Sequence, residues 1–278
     1  MTQNFTLHTH TTLGDGRNTA AEMVARATEM GMKTIGFSDH FIVHPEIRNT
    51  NFYPYALRGG YAQIYSSSFD EIMARFVPAF REFQRIASES KIRVLRGLEV
   101  DFFDTPSWRR GFESAIQILQ PDYLIGACHF VDLDGRLYNV HDMANADSDL
   151  RDIMLKKYWQ KICAASKSGL FSWMAHLDLP RKVNVGTDEK WRDTEQNVID
   201  ALAHNNTGVE INTSLQPDPH PSRRILEMVS AANIPVLVSD DAHSTDKIGR
   251  RFDVAERLCA EFGIKNRLSL QKILDFSK

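Results

Sequence analysis

Two histidines separated by one residue, His8 and His10, stand in a threonine-rich run near the start of the chain. Residues two apart on a β-strand point to the same face, so both imidazoles can bind one metal ion from the same side. Asp15 follows in a Gly-Asp-Gly turn that can return a carboxylate to the same place. The pair by itself does not establish a metal site, because hydrogen-bonded core histidines occur with similar spacing.

Further imidazoles and carboxylates end other short apolar runs of the chain. Together with the first pair, these residues include six of the ten histidines. If they met at one rim without metal, they would repel each other or lack partners. Divalent ions would resolve both problems, and nitrogen and carboxylate ligands favour zinc, manganese or iron over calcium. The residues that end these runs are His40, Glu99, Asp101, His129, His176, Asp178, Asp241 and His243.

The cysteines do not contribute to this pattern. Cys128 directly precedes His129, so on a strand its side chain points to the opposite face, and we interpret it as a packing residue. Cys128, Cys163 and Cys259 are scattered and odd in number. They form neither a disulfide framework nor a thiolate zinc site, and they predict a reducing, cytoplasmic location.

Seven short runs rich in β-branched, leucine and aromatic residues are predicted strands, and they alternate with amphipathic helical patterns. This alternation predicts a mostly parallel sheet with helices outside it. Thr19 and Glu22 stand at capping-box spacing before the first helix. The predicted strands are Phe5–His10, Thr34–Asp39, Arg93–Val100, Tyr123–Phe130, Phe171–Leu177, Gly208–Thr213 and Pro235–Asp240. The predicted helices are Ala20–Met30, Phe69–Ser90, Trp108–Leu119, Ser148–Ser168, Lys190–His204, Ser222–Ala232 and Ile248–Phe262.

Such a sheet either closes into a seven-stranded TIM-like α/β barrel or stays open and doubly wound. We favour the irregular (β/α)7 barrel, because almost every predicted strand ends in a polar residue. Barrels collect their chemistry at the carboxyl ends of all strands, whereas open sheets concentrate it at one switch point. We expect residues 1–278 to form one domain. The aromatic-rich segment 41–68 would lie over the rim, either covering the site or as a packed excursion.

Composition excludes several classes of protein. Among the 278 residues, 33 are Lys or Arg and 36 are Asp or Glu, which gives a net charge of −3. This balance argues against a nucleic-acid polymer as partner. No apolar run approaches the roughly 18–20 residues of a membrane span, and the start shows no secretory signal, so we expect no membrane partner. The sequence leaves open whether the chain forms a homo-oligomer.

The order, spacing and type of these residues resemble the PHP (polymerase and histidinol phosphatase) superfamily, from His8 to about Asp253. The phrases GLEVDF, HLDLP and EINTS are most similar to its histidinol-phosphatase branch. The resemblance implies an irregular seven-stranded barrel with a trinuclear metal centre. It implies that His8, His10, Glu99 and Asp241 hold one ion, that Glu99, His129 and His176 hold a second, and that Asp15, His40 and His243 hold a third.

The resemblance also implies a reaction, the hydrolysis of L-histidinol phosphate to L-histidinol and phosphate. A bridging hydroxide would attack phosphorus while the ions hold the phosphoryl oxygens. Glu99 would join two ions, and Asp241 or His243 would protonate the leaving alkoxide. Three divalent ions, three carboxylates and one hydroxide leave two positive charges, which a phosphate monoester dianion neutralises.

The cation that grips the phosphate is less clearly marked, because Ser244 stands where some relatives have an arginine. Arg181 and Lys182 are the predicted phosphate-binding residues, since arginine forks match phosphate oxygens. Arg48 and Arg58 in the segment 41–68 are further candidates.

Acidic residues near the predicted ligands have expected supporting roles. Glu210 would either recognise the substrate amine or serve as a structural hydrogen-bonding group. Asp39 and Asp178 would orient ligand histidines. Asp240 would do the same or cap the turn that follows it.

Three other functions compete with this interpretation. The first is phosphoester hydrolysis of another small phosphorylated metabolite or a nucleotide. The second is an amidohydrolase, although that class usually has a lysine in place of Glu99 and a lone aspartate on the last strand. The third is a non-catalytic metal-binding relative, which loss of one or more ligands would indicate.

Overall fold

The computed structural model describes residues 3–276. Within this range the strands are β1 (Phe5–Thr6), β2 (Thr34–Phe37), β3 (His40–Val43), β4 (Tyr65–Ser66), β5 (Arg93–Asp101), β6 (Tyr123–Ala127), β7 (Phe130–Leu133), β8 (Arg136–Asn139), β9 (Trp173–Met174), β10 (Gly208–Asn212) and β11 (Val236–Ser239). The helices are α1 (Ala20–Glu29), α2 (Tyr53–Gly59), α3 (Phe69–Glu89), α4 (Pro106–Leu119), α5 (Ser148–Lys167), α6 (Arg192–His204), α7 (Arg223–Ala231), α8 (Phe252–Glu261) and α9 (Leu270–Phe276).

Seven parallel strands form the central sheet in the order β1-β2-β5-β6-β9-β10-β11. The two ends of this sheet meet, because Thr9 and Ala242 form an isolated parallel bridge. The amide of His10 donates to the carbonyl of Ala242 at 2.9 Å, and the amide of Ala242 donates to the carbonyl of His8 at 3.1 Å. The sheet is therefore a nearly closed barrel, which confirms the predicted fold and excludes the open alternative.

The segment 41–68 is ordered secondary structure rather than a plain connection. Strand β3 pairs with β5, strand β4 pairs with β3, and helix α2 lies between them in sequence. The buried side chains Ile42, Ile64 and Tyr65 anchor the segment in the main core. Burial of these apolar groups explains why it packs on the rim instead of extending into solvent.

The β7–β8 hairpin and helix α9 are elements that the sequence interpretation missed. Asp134 and Gly135 join the two hairpin strands with φ of 53° and 87°. Positive φ at both loop residues suits the tight two-residue turn that Asp-Gly favours. The sequence contains this Asp-Gly signal shortly after the predicted strand Tyr123–Phe130, which extends beyond the end of β6.

The predicted helices match the observed ones closely, and the differences fall at the ends of elements. Thr19 and Glu22 form the predicted capping box at the start of α1. The last predicted helix begins at Phe252 rather than Ile248, because the amide of Gly249 donates to buried Asp240 at 2.5 Å. Strand β1 ends at Thr6 rather than His10. The first strand is thus shorter than predicted, and the chain leaves the strand conformation before it reaches the rim.

An apolar cluster fills the inside of the barrel beneath the rim. Its centre is the stacked pair Tyr123 and Trp173, with ring centroids 5.5 Å apart. The hydroxyl of Tyr123 donates to the carbonyl of Leu7 at 2.7 Å, and it lies 3.1 Å from that of Phe37. The cluster contains Leu7, Leu95, Tyr123, Ile125, Ala127, Trp173, Ala175, Leu237 and Ile273.

Helix α9 supplies Ile273 to this interior cluster and so covers one end of the barrel. The interior is therefore a packed core and not a channel. Among residues 3–276, none of the helices combines the length and the apolar character that a membrane crossing requires.

Candidate metal centre

Nine imidazole and carboxylate side chains converge at the carboxyl-terminal rim of the barrel. Each follows or ends one of the central strands, except Asp15, which comes from a turn after the first strand. Glu99 lies at the centre and is completely buried. Parallel strands end at one edge, which is why residues far apart in the chain meet here. The nine are His8, His10, Asp15, His40, Glu99, His129, His176, Asp241 and His243.

These side chains form four overlapping groups in which the potential ligand atoms lie within 4.8 Å of one another. Within residues 3–276, all nine predicted ligands belong to these groups and no cysteine does. The groups are His10, Asp15, His40 and His243; His8, His10 and Asp241; His8, Glu99 and His176; and His40, Glu99 and His129. The shared members make the four groups one continuous cluster.

Glu99 joins the parts of this cluster through its two oxygens. Its Oε1 lies 2.8 Å from Nε2 of His176 and 3.4 Å from Nε2 of His129. Its Oε2 lies 3.5 Å from Nε2 of His8 and 3.6 Å from Nε2 of His10. Oε2 also lies 2.6 Å from Nδ1 of His40. A carboxylate with two imidazoles around one oxygen and three around the other has the arrangement of a bridging ligand.

The hydrogen-bonding state of the cluster fits divalent ions. Of the sixteen buried side-chain nitrogen and oxygen atoms that lack a hydrogen-bond partner in the described chain, nine belong to the cluster. An unsatisfied buried polar atom costs roughly 1–3 kcal/mol, so such a concentration would be strongly destabilising without ligands. Metal binding satisfies these atoms directly. The nine are His8 Nε2, His10 Nδ1 and Nε2, Asp15 Oδ1, His40 Nδ1, Glu99 Oε2, His129 Nδ1, His176 Nδ1 and Asp241 Oδ1.

The charges in the cluster are strongly coupled. Burial by itself would raise the pKa of Glu99, but His40, His129 and His8 hold that pKa well below its usual range. Burial and the neighbouring His243 and His40 lower the pKa of His10 to about 4, which keeps this imidazole neutral. Burial by itself would lower the pKa of His8, His40, His129 and His243, but the surrounding carboxylates raise each of these pKa values above its usual range. Metal coordination requires neutral imidazoles and ionised carboxylates, so ion binding would release protons from the cluster.

Glu210 supports the cluster from below and does not face the cavity. It is completely buried, and His8 Nδ1 donates to it at 2.7 Å. It also accepts the amide of His176 at 2.9 Å, Nδ2 of Asn212 at 2.9 Å and the hydroxyl of Ser239. Of its two expected roles, the structure therefore favours the structural hydrogen-bonding role over recognition of a substrate amine.

Asp101 and Lys161 form a second support, which sequence reasoning did not identify. Asp101 is completely buried, accepts the amide of His129 at 3.0 Å and lies 3.4 Å from Nδ1 of the same residue. Lys161 of α5 pairs with Asp101, donates to the carbonyl of Phe130 at 2.7 Å and lies 3.9 Å from the ring centroid of Phe103. One lysine on an amphipathic helix gives no sequence signal, because such residues usually face solvent.

Asp39 and Asp240 bond to the polypeptide rather than to ligand histidines. Asp39 accepts the amide of Thr11 at 2.7 Å and its hydroxyl at 2.9 Å, so it holds the turn that leads to Asp15. Burial raises the pKa of Asp39 to about 7. Asp240 accepts the hydroxyl of Thr6 at 2.7 Å and the amide of Gly249. The expected orienting role of Asp39 was wrong, while the turn-capping alternative for Asp240 is what the structure contains.

Cys128 is buried beside the rim without joining the cluster. Its thiol lies 3.6 Å from the carbonyl of Phe130, and burial raises its pKa to about 12. A thiol in this state is a poor metal ligand. Its placement agrees with the interpretation of Cys128 as a packing residue.

A cavity of about 450 Å³ opens over the cluster. Phe52, Tyr61 and Tyr65 of the segment 41–68 line its wall, so this segment covers the site. Lys182 and Arg250 also line it. The side chain of Arg250 lies 3.1 Å from the carbonyl of Asp240, and its Nε has no hydrogen-bond partner in the described chain.

The other predicted cations lie away from this cavity wall. Arg48 pairs with half-buried Glu71, and Arg58 lies over the ring of Tyr55 at 4.5 Å. Arg181 lies 3.0 Å from Asp178 through its Nε, and it also contacts the carbonyl of Pro219. Its guanidinium is thus engaged by protein groups.

Asp178 orients a histidine that the sequence interpretation did not single out. Its Oδ1 lies 2.5 Å from Nδ1 of His220, which lines the cavity. His220 and Arg250 have no marked spacing to the predicted ligands, which is why sequence reasoning missed both residues.

A nearly closed parallel barrel with six histidines and three carboxylates at its carboxyl-terminal rim defines a metal-binding α/β-barrel protein. The comparison with known families narrows this class. The chain belongs to the PHP domain family, whose pattern matches residues 5–214. This confirms the resemblance that the ligand order indicated.

Individual relatives agree with this assignment. The chain is 25% identical to the "Probable histidinol-phosphatase" of Deinococcus radiodurans over 264 residues, which covers 92% of each chain. A crystal structure from Listeria monocytogenes has a TM-score of 0.71 at 17% identity, covering 90% of this chain and 99% of its own. The histidinol phosphate phosphatase of Lactococcus lactis, complexed with zinc, L-histidinol and phosphate, has a TM-score of 0.68 at 18% identity and covers 98% of both chains. At these identities the solved structures establish a common fold.

Proposed function

We propose that this protein is a metal-dependent phosphomonoesterase whose substrate is L-histidinol phosphate. The observation that carries the proposal is the set of nine unsatisfied buried atoms around Glu99, beneath a cavity with two cationic side chains. The names of the Deinococcus and Lactococcus relatives support the choice of substrate. The cavity of about 450 Å³ is of a size suited to a small metabolite.

The proposed centre holds three divalent ions, with zinc, manganese or iron as the candidates. His8, His10, Glu99 and Asp241 would hold the first ion, Glu99, His129 and His176 the second, and Asp15, His40 and His243 the third. The observed groups support the first and third sets, since His8, His10 and Asp241 lie together, as do Asp15, His40 and His243. The contacts of Glu99 Oε1 with His129 and His176 support the second set.

When bound, the ions would supply an activated water nucleophile and neutralise charge on the phosphoryl oxygens. Lys182 and Arg250 would bind the phosphate from the open side of the cavity. Arg181 fits this predicted role less well, because Asp178 and main-chain carbonyls already occupy its guanidinium. In this proposal, Arg250 compensates for Ser244 in the position where some relatives have arginine.

Proton transfer is assigned to residues at the open side of the cluster. Asp241 lines the cavity and its side chain is 13% exposed, so its carboxylate is placed to accept a proton from the attacking water. The side chain of His243 is 36% exposed, more than that of the other five cluster histidines. It is therefore placed to protonate the departing alkoxide. Glu99 keeps the two halves of the centre at a fixed separation.

The proposal also covers the cellular location of the enzyme and the kind of molecule that it binds. Cys128, Cys163 and Cys259 are all unpaired, which is consistent with a reducing cytoplasm. The acidic net charge of −3 favours a small phosphorylated metabolite over a nucleic-acid polymer.

The test measures phosphate release by protein reconstituted with zinc, manganese or iron. The substrates are L-histidinol phosphate, a nucleotide panel and a sugar-phosphate panel. We expect kcat/KM for L-histidinol phosphate to exceed the others by at least about tenfold, a difference that one well-placed polar contact provides. Glu99→Gln protein purified in parallel controls for contaminating phosphatases.

A nucleotide as the preferred substrate would overturn the assignment to histidinol phosphate and leave the metal centre in place. No release from any substrate by fully metal-loaded protein would overturn the catalytic function and indicate a metal-binding relative. Metal content measured on the same samples separates this result from incomplete loading.

A further inference from the structure

A buried aspartate–histidine pair lies beside the cluster, outside the nine predicted ligands. His220 is 1% exposed and lines the same cavity as His129, His176 and His243. Its ring centroid is 6.4 Å from that of His176. The Nδ1 atom lies 2.5 Å from Oδ1 of Asp178, which is itself buried. Neither residue of this pair takes part in the proposed hydrolysis.

The pair is held rigidly by contacts from separate parts of the chain. The second oxygen of Asp178 accepts the amide of Ser222 at 2.7 Å and Nε of Arg181 at 3.0 Å. The main chain of His220 is paired in both directions with Asn212 at the end of β10, at 2.9 and 2.8 Å. Such preorganisation reduces the entropy lost when a ligand binds.

Arg181 also fixes the chain that leads into His220. Its guanidinium contacts the carbonyl of Asp218 at 3.3 Å and that of Pro219. Arg181 is therefore a positioning residue for the pair, which explains why it is turned away from the cavity wall.

The hydrogen bonds determine what His220 can offer to a ligand. A carboxylate only accepts, so Nδ1 of His220 carries the proton that Asp178 binds, and the imidazole tautomer with its proton on Nδ1 presents Nε2 as an acceptor. Within the described residues, Nε2 has no hydrogen-bond partner. An acceptor suits a donor such as an ammonium group, whereas phosphate oxygens are themselves acceptors and match Lys182 and Arg250.

We propose that His220 binds the ammonium group of the substrate and so selects amino-alcohol phosphates over other phosphate monoesters. The inference rests on the proposed function, because it concerns the same cavity and the non-phosphate part of the same substrate. Glu210, the other residue considered for the amine, is fully engaged by His8, His176, Asn212 and Ser239. His220 is thus a specificity-determining residue, positioned by Asp178 and Arg181.

The test compares two substrates on the metal-loaded full-length protein. One is L-histidinol phosphate, and the other is its analogue with the same ring and phosphate but no amine. We expect His220→Leu to lower kcat/KM for the amine substrate about 10- to 100-fold, the range for a hydrogen bond to a charged group. For the amine-free analogue, kcat/KM should change less than about threefold, because this substrate has no ammonium group that His220 could bind.

Two further variants refine the test. His220→Gln retains an acceptor and should recover part of the lost selectivity. Arg181→Met should lower kcat/KM for the amine substrate in the same direction but less, since it acts through the position of His220. His141→Gln is the matched control, because His141 lines the cavity, stacks on Phe52 at 5.5 Å and has no carboxylate partner among residues 3–276. His141→Gln should leave the ratio of kcat/KM values for the two substrates unchanged.

A binding measurement gives a readout independent of turnover. Calorimetric titration of L-histidinol into the loaded protein should show weaker binding to His220→Leu by the same factor. Equal losses on both substrates, or unchanged L-histidinol binding, would overturn the role of His220. Wild-type protein that hydrolyses both substrates equally well would reject this inference and leave the proposed function standing. Wild-type protein that hydrolyses neither would reject both.

Discussion

The mouth of the barrel and its interior are built on the same seven strands but differ in how their buried polar groups are satisfied. In the interior, apolar side chains surround Tyr123, whose hydroxyl is bonded to the main chain. Only one atom of the interior cluster, Trp173 Nε1, is a buried polar atom without a partner in the described structure. The metal-ligand cluster at the mouth has nine such atoms within the described residues, concentrated around Glu99. The protein itself satisfies nearly all buried polar atoms of the interior, whereas those of the mouth need bound ligands as partners.

The comparison teaches that stability and function are separated along the barrel axis. Gly36 and Gly97 leave room for the ring of Tyr123, since a Cβ at either position would overlap it. The interior is thus packed tightly enough to hold the strand ends in place. The mouth can then carry many titratable groups whose mutual repulsion and desolvation the barrel alone does not compensate.

Replacing the central carboxylate should have the largest effect and should affect the mouth alone. Glu99→Gln keeps the shape of the side chain but removes the charge between two groups of imidazoles. We expect kcat for phosphate release to fall about 10²- to 10³-fold or more, as for loss of an electrostatic catalytic group. The unfolding temperature of the metal-free variant should not fall. A near-normal kcat at full metal content would remove Glu99 from the mechanism.

Removing metal should lower stability without disturbing the interior. Ligands at 100 to 1,000 times their Kd stabilise a folded protein by about 3 to 4 kcal/mol, so chelation should reduce the free energy of unfolding by that order. Denaturant unfolding with and without chelator measures the difference. Far-ultraviolet circular dichroism at 25 °C should not change, because the apolar interior needs no metal. Identical unfolding curves in the two conditions would contradict the distinction between mouth and interior.

The partly buried Lys161 beneath the mouth offers a finer test. Lys161→Met leaves Asp101 without its counter-charge and should weaken metal binding about 10- to 100-fold, as expected for loss of a group that supports a ligand. Competition with a chromophoric chelator measures this affinity. Lys157→Met on the same helix is the matched control, because Lys157 is exposed. Equal metal affinity of the two variants would show that Lys161 only packs.

The smallest effect should come from the interior. Tyr123→Phe removes the hydroxyl that bonds to Leu7 and leaves two carbonyl groups without this donor. We expect the free energy of unfolding to fall by about 1–2 kcal/mol. Because Tyr123 does not contact the cluster, kcat with saturating metal should stay within about twofold of the wild type. A large loss of kcat would show that the interior and the mouth are energetically coupled.

Local sequence patterns predicted much of the fold. The starts of α1 and α3 coincide with the predictions, because capping residues and apolar periodicity are local signals. The barrel followed from the polar ends of the strands. By contrast, β3, β4 and α2 within 41–68 were missed, because their formation depends on packing against β5 and the main core.

The candidate site likewise contains residues that the sequence predicted and residues whose roles depend on tertiary contacts. The polar ends of the predicted strands marked candidate ligands, because parallel strands end at one rim, and the resemblance to the PHP superfamily selected the nine among them. Arg181 was assigned to phosphate from its type and position alone. Its contacts with Asp178 and the chain near Pro219 join two connections, and no local pattern encodes such a contact.

The sequence by itself determined the class of fold, the identities of the ligand candidates and the chemistry they favour, since these depend on residue type and short-range period. Only the tertiary structure decided which groups support them. Glu210 reaches His8 across 202 positions, Lys161 reaches Asp101 across 60, and Asp178 reaches His220 across 42. These pairings exist because closure of the barrel brings separate strand ends together, and the spacing along the chain carries no record of that closure.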